Sequence, residues 1–124
     1  VLYFTKTSRA SAAIIEEQQS NVKNSIESSV EAMHQLKEQS RMMKEALLKG
    51  RLHEIGEILD YGFQQKKKMA SQITNSFLEE TYEAAKRAGA TGGKISGAGG
   101  GGFMIFYCPD NTRYQVIETL QRLG

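Results

Sequence analysis

A chain of 124 residues is long enough for one domain with a modest core. Hydrophobic residues make up 40% and charged residues 24%, the balance of an ordinary soluble domain, and a formal net charge of +2 is too small to point to nucleic acid or an anionic membrane. The single cysteine, Cys108, excludes an intrachain disulfide and favours a reducing compartment, no apolar run approaches the roughly 18 residues of a membrane span, and no signal peptide is visible.

Val1 to Phe4 mix β-branched, apolar and aromatic residues and predict a short strand. Ser8 is placed to cap a helix through ASAAIIEEQ, with Ser20 and Asn21 as points where it breaks or kinks. A long helix follows from about Asn24 to Lys49. Ile26, Val30, Met33, Leu36, Met43 and Leu47 recur on one face, and Gly50 is its stop. A third helix, about Leu52 to Met69, carries Leu52, Ile55, Leu59 and Phe63 on one face. A fourth, about Asn75 to Ala88, carries Leu78, Tyr82 and Ala85 and ends at Gly89. FMIFYC, residues 103–108, is the clearest strand, and CPDN after it is a turn, because Pro109 cannot continue a central strand. The last helix, about Thr112 to Leu123, shows Val116, Ile117, Leu120 and Leu123. The order predicts an α+β fold: four or five helices packed on a small antiparallel sheet of two or three strands. Val1 opens directly on a strand signal and Gly124 follows directly on a helix, so both ends read as those of a piece of a longer polypeptide.

The most informative stretch is GGKISGAGGGGFMIFYC, residues 92–108. Glycine loses more backbone freedom on folding than any other residue, so ordering such a run is costly. Successive glycines let neighbouring N–H groups converge on one anion with no Cβ in the way, which is a physical reason for a phosphate-binding loop. Glycine content alone leaves this even with a flexible or closely packed turn. Gly97 to Gly102 formally satisfy G-x-G-x-x-G, but that fingerprint needs a strand before it and a helix after it, and here a strand follows. The G-x-x-x-x-G-K-[ST] loop fails as well, because Lys94 precedes the run and no Lys-Ser/Thr follows it.

What remains is a helix, then GGKISGAGGGG, then a strand. This segment resembles the third conserved motif of the GHMP kinases (galactokinase, homoserine kinase, mevalonate kinase and phosphomevalonate kinase). FTKTSRASAAIIEEQ, AMHQLKEQSRMMKEALLKGRLHEIGEIL, KKKMASQIT and AAKRAGATGGK are similar to sugar kinases of the D-glycero-D-manno-heptose 7-phosphate kinase type. The resemblance implies that residues 1–124 are the C-terminal domain of such a kinase, a ferredoxin-like variant. It implies that an N-terminal domain with the principal ATP loop lies outside this chain, together with a last strand. The implied activity is ATP-dependent phosphorylation of a sugar or sugar phosphate, with Mg²⁺, in the cytoplasm. The fragment alone is expected to be inactive, with no catalytic residue and no metal ligand of its own. The implied partners are the protein's own N-terminal domain and the sugar phosphate.

On this reading Lys94, Ser96, Gly97, Ala98, Gly99, Gly100, Gly101 and Gly102 form a loop that supports the phosphates at the domain interface. Gly97, Gly99, Gly100 and Gly101 shape it, Ser96 donates a hydrogen bond, and Lys94 adds charge. Thr5, Ser8 and Arg9 stand where the first strand enters a helix, a position that favours an anion; they are candidate substrate contacts. Capping by Ser8 beside a surface arginine is the plainer alternative. Lys66 to Lys68 read as a solvated face, since consecutive helical lysines point in different directions; the resemblance leaves one of them as a contact to a sugar phosphate. His34 and His53 lack metal-ligand spacing, the methionines fit helix packing, and Cys108 reads as a small buried hydrophobe. A galactokinase-like enzyme is the alternative within the family. A helical interaction module is the alternative outside it, and such a module gives no reason for SGAGGGG.

Overall fold

The structure, a computed structural model, describes residues 1–6, 11–71, 73–97 and 99–124. These form β1 (Leu2–Phe4), α1 (Ser11–Lys23), α2 (Glu27–Leu48), a single 3-10 turn (Leu52–Glu54), α3 (Ile55–Lys66), α4 (Ser76–Arg87), β2 (Gly92–Ile95), β3 (Phe103–Tyr107) and α5 (Arg113–Leu123). The strands make one antiparallel sheet in the order β1-β3-β2, with Ile105 flanked by Leu2 and Lys94. The expected α+β architecture is therefore present, as five helices and three strands.

Strand β3 alternates in burial along its length. Met104 and Phe106 enter one core with Leu78, Tyr82 and Ala85 of α4 and Val116 and Leu120 of α5. Each fully buried side chain of this size contributes roughly 1.5–3 kcal/mol, so this cluster anchors the sheet. Phe103 and Ile105 point the other way and, with Leu2 and Phe4, leave an exposed apolar sheet face. Helix α4 starts cleanly because the Asn75 side chain accepts a hydrogen bond from the Leu78 N–H at 3.0 Å. A second core joins Ile14 of α1 and Ala32 of α2 to Met69, Ala70 and Ile73.

Three helix expectations are corrected. Helix α1 continues through Ser20 and Asn21. Asn21 Nδ2 donates to the Met69 carbonyl at 2.8 Å, so its side chain turns to another segment and leaves its own backbone alone. The chain breaks only after Asn24, where Ser25 takes φ +55°. Helix α2 buries a different stripe from the one expected. Ser29, Ala32 and Ala46 are buried, whereas Ile26, Met33 and Leu47 are exposed. Small residues at that stripe allow close approach: a Cβ added at Gly62 of α3 would lie 2.9 Å from Gln39 Cδ of α2. The third helix begins as a 3-10 turn, ends at Lys66, and buries Gly56, Ile58, Gly62 and Phe63, leaving Leu52 exposed.

The glycines of α3 and β2 explain how the site is positioned. A Cβ on Gly92 would stand 1.8 Å from the Gly56 carbonyl oxygen, and a Cβ on Gly56 would stand 1.7 Å from Thr91 Oγ1. Helix backbone and strand backbone are thus in contact, and no other residue type fits between them. We predict that Gly56→Ala and Gly92→Ala each destabilise the fold by about 3 kcal/mol or more through overpacking. The double variant should cost less than the sum, because both act on one contact. Denaturant unfolding of the four proteins checks this, and additive or negligible losses would contradict it.

Tyr82, fully buried, ties the same elements together. Its hydroxyl donates to Asp60 Oδ1 of α3 and accepts from the Gly93 N–H of β2 at 3.3 Å. Lys86 Nζ lies 3.6 Å from the same Asp60 oxygen. Burial, and then the Asp60 carboxylate, push the Tyr82 pKa well above its ordinary value of 10.0. The unfolded chain therefore releases this proton at lower pH than the folded protein does. The stabilisation is fully present below pH 10.0 and is lost as pH rises above it. Tyr82→Phe should remove part of that alkaline slope and cost about 1–3 kcal/mol at neutral pH through the unpartnered groups it leaves. Denaturation midpoints at neutral and alkaline pH read both effects.

Candidate functional site

The glycine-rich loop joins β2 to β3 and is held at three points. At its base the Ser96 N–H donates to the Phe103 carbonyl at 2.8 Å. At its middle the Gly100 N–H donates to the Ile73 carbonyl at 2.7 Å. Gly99 beside it has φ +104°, and a Cβ there would meet Ile73 Cγ2 at 2.8 Å. At its end the N–H and the hydroxyl of Thr5 both donate to the Gly102 carbonyl at 2.8 Å. Thr5, expected as a substrate contact, is thus buried with its hydroxyl on the loop. Ser96 and Gly97 are exposed, whereas Gly100 and Gly101 are buried. Ala98, Ser8 and Arg9 lie outside the described residues.

Lys66, the last residue of α3, reaches this loop. Its Nζ donates to the Gly97 carbonyl at 2.5 Å. Lys94 of β2 lines the same cleft, together with Leu36, Gln39, Leu59, Phe63, Ile73 and Gly99. The cleft encloses about 70 Å³, against roughly 300–1,000 Å³ for a site that takes a whole small molecule. It has room for one group of a ligand. Burial, and then the charge of Lys94, lower the Lys66 pKa from its ordinary value of 10.5.

The neighbouring cations are engaged elsewhere. Lys67 pairs with Glu79 at 2.8 Å and lies over the Phe63 ring. Lys86 faces Asp60, and Lys68 is exposed. Among the described residues neither Lys66 nor Lys94 has a carboxylate within ion-pair distance. The lysine run is therefore three residues with three surroundings, and Lys66 is the one that faces the loop. Its signal in the sequence was its spacing. Leu59, Phe63 and Lys66 fall at i, i+4 and i+7, which puts Lys66 on the apolar face.

Among the described residues no three His, Cys, Asp or Glu side chains are grouped to hold a metal ion. His34 and His53 are exposed. Cys108 is half-buried, and burial raises its thiol pKa. Among the described helices none is long and apolar enough to cross a membrane.

The description "GHMP kinases C terminal" matches residues 43–124. The chain is 37% identical over 122 residues to the D-glycero-alpha-D-manno-heptose 7-phosphate kinase of Campylobacter jejuni, a match that covers 98% of this chain and 35% of that protein. The chain thus spans about a third of that relative's length. Its fold is like that of L. major mevalonate kinase in complex with R-mevalonate, with a TM-score of 0.88 and 18% identity over 98% of this chain and 37% of that one. It is also like that of Streptococcus pneumoniae phosphomevalonate kinase in complex with phosphomevalonate and AMPPNP, with a TM-score of 0.69 and 23% identity over 99% of this chain and 36% of that one. An α+β domain with a glycine-rich loop between two strands, matched over two thirds of its length by the family's own pattern, belongs to the GHMP kinases as their C-terminal domain.

Proposed function

We propose that the protein containing this chain is an ATP-dependent sugar kinase that phosphorylates D-glycero-D-manno-heptose 7-phosphate at its anomeric hydroxyl. The observation that carries this reading is the loop itself: a hydrogen-bonded glycine turn beside two lysines that have no carboxylate partner among the described residues. The 37% identity to a heptose 7-phosphate kinase supports the choice of sugar.

Phosphoryl transfer asks for positioning and charge stabilisation more than for covalent chemistry. A turn braced by hydrogen bonds and a concentration of positive charge suit a phosphorylated ligand. Mg-ATP, when bound, supplies the phosphoryl group and the metal charge that screens it. The family resemblance assigns the metal ligands and the base to an N-terminal domain. In this reading Lys94 supplies charge, Ser96 a hydroxyl donor, and residues 97–102 the shape of the turn. The exposed apolar face of Leu2, Phe4, Phe103 and Ile105 supports the presence of a packing partner. With ATP as donor, the reaction belongs in the cytoplasm.

Three measurements test this. The intact protein with Mg-ATP and the heptose 7-phosphate should release ADP and form an anomeric phosphate detectable by phosphorus NMR. Gly99→Val should lower kcat/KM by about 100-fold or more, because a displacement of about 1 Å suffices for that; an unchanged kcat/KM would remove the loop from the reaction. The present chain alone, titrated calorimetrically with Mg-ATP, should show no micromolar binding, and such binding would mean that the nucleotide site lies within it.

A further inference from the structure

We infer that the cleft between α3, β2 and the glycine-rich loop is the subsite for a phosphate ester already carried by the acceptor sugar, held jointly by Lys66 and Lys94. These two lysines then set the preference for a phosphorylated over a free sugar. The inference rests on the sugar-kinase reading for the identity of the acceptor, and on the cleft alone for the anion.

Four observations carry it. First, two ammonium-bearing side chains line one cleft, and like charges brought together are unfavourable unless an anion joins them. Second, neither has a carboxylate at ion-pair distance among the described residues, while Lys67 and Lys86 nearby do. The hydrogen bond described for Lys66 goes to a neutral carbonyl, that of Gly97. Third, partial burial and the charge of Lys94 already weigh against the Lys66 ammonium, and the charge of a bound dianion would oppose both by favouring the ammonium. Fourth, the cleft of about 70 Å³ has room for one tetrahedral group.

The nucleotide is the other source of phosphate. Two cations among apolar or amide side chains line the cleft, and the titrations below separate the two sources. The bond from Lys66 to Gly97 also places the subsite against the loop, so a phosphate held there lies beside the turn assigned to the transferred group.

Equilibrium binding to the intact protein tests this without relying on turnover. The probes are D-glycero-D-manno-heptose 7-phosphate, the free heptose, and Mg-ATP, each titrated calorimetrically. Lys66→Ala and Lys94→Ala should each weaken binding of the heptose phosphate by about 10- to 100-fold, the effect of one charge-assisted hydrogen bond. Lys66→Arg should restore most of the loss. For Lys66→Ala, affinities for free heptose and Mg-ATP should stay unchanged, and the exposed control Lys68→Ala should behave as wild type. Lys66→Met keeps the aliphatic stem and gives the same reading if the alanine variant does not fold. A loss confined to Mg-ATP would assign the cleft to the nucleotide and overturn the inference. So would equal losses for free and phosphorylated heptose, no loss at all, or a wild-type protein that does not bind the sugar phosphate. A protein that binds the sugar phosphate through these lysines yet transfers nothing to it would defeat the kinase reading and leave the subsite standing.

Discussion

Gly56 in α3 and Gly92 in β2 meet backbone to backbone, and the placement of the site follows from that contact. From there the two elements run side by side. Ten residues of helix, from Gly56 to Lys66, advance about 15 Å at 1.5 Å per residue. Strand β2 runs from Gly92 to Ile95, and the chain then bends through Ser96 into the loop. The last residue of α3 thereby lies beside the first glycine of the loop, and Lys66 reaches the Gly97 carbonyl. Tyr82 reinforces the alignment from the core side by joining Asp60 of α3 to Gly93 of β2. A helix set further out by one methyl group would carry its terminal lysine away from the loop.

The glycine run is costly to order, and the structure shows what offsets that cost. Ser96 closes the base, Ile73 holds the middle, and Thr5 holds the end. The anchors come from β3, from the segment after α3, and from β1 respectively, so the turn is shaped by three separate parts of the fold. The Gly100 N–H is used in this bracing. A loop whose amides all converge on an anion would leave it free. In the proposed reading, positive charge from neighbouring elements would therefore carry a larger share of the anion affinity than the glycine pattern alone suggested.

Much of this was legible in the sequence where large apolar residues do the packing. The α4 stripe of Leu78, Tyr82 and Ala85 is fully buried, and β3 alternates as FMIFY implies. Legibility failed where small residues do it. The α2 stripe of Ser29, Ala32 and Ala46 carries almost no hydropathy signal, although it is the buried one. Strand β2 is two glycines, a lysine and an isoleucine, a poor strand by propensity, held by its ladder to β3 and by contact with α3. Lys66 was masked by its neighbours Lys67 and Lys68: a run of like charges suggests solvent, and only its spacing from Leu59 and Phe63 sets it apart in the sequence. The family motif was readable because it is long and lies between a helix and a strand. The loop-facing lysine outside that motif was readable only as one of three, Lys66 to Lys68.

The central claim is that Lys66 and Lys94 await an anion and not a carboxylate from elsewhere in the polypeptide. A crystal structure of the intact protein with the heptose 7-phosphate and a non-hydrolysable ATP analogue addresses it directly. The account predicts phosphate density within hydrogen-bond distance of both lysine Nζ atoms, with the nucleotide phosphates outside that cleft. An Asp or Glu of the remaining polypeptide paired with either lysine, and no ligand between them, would contradict it.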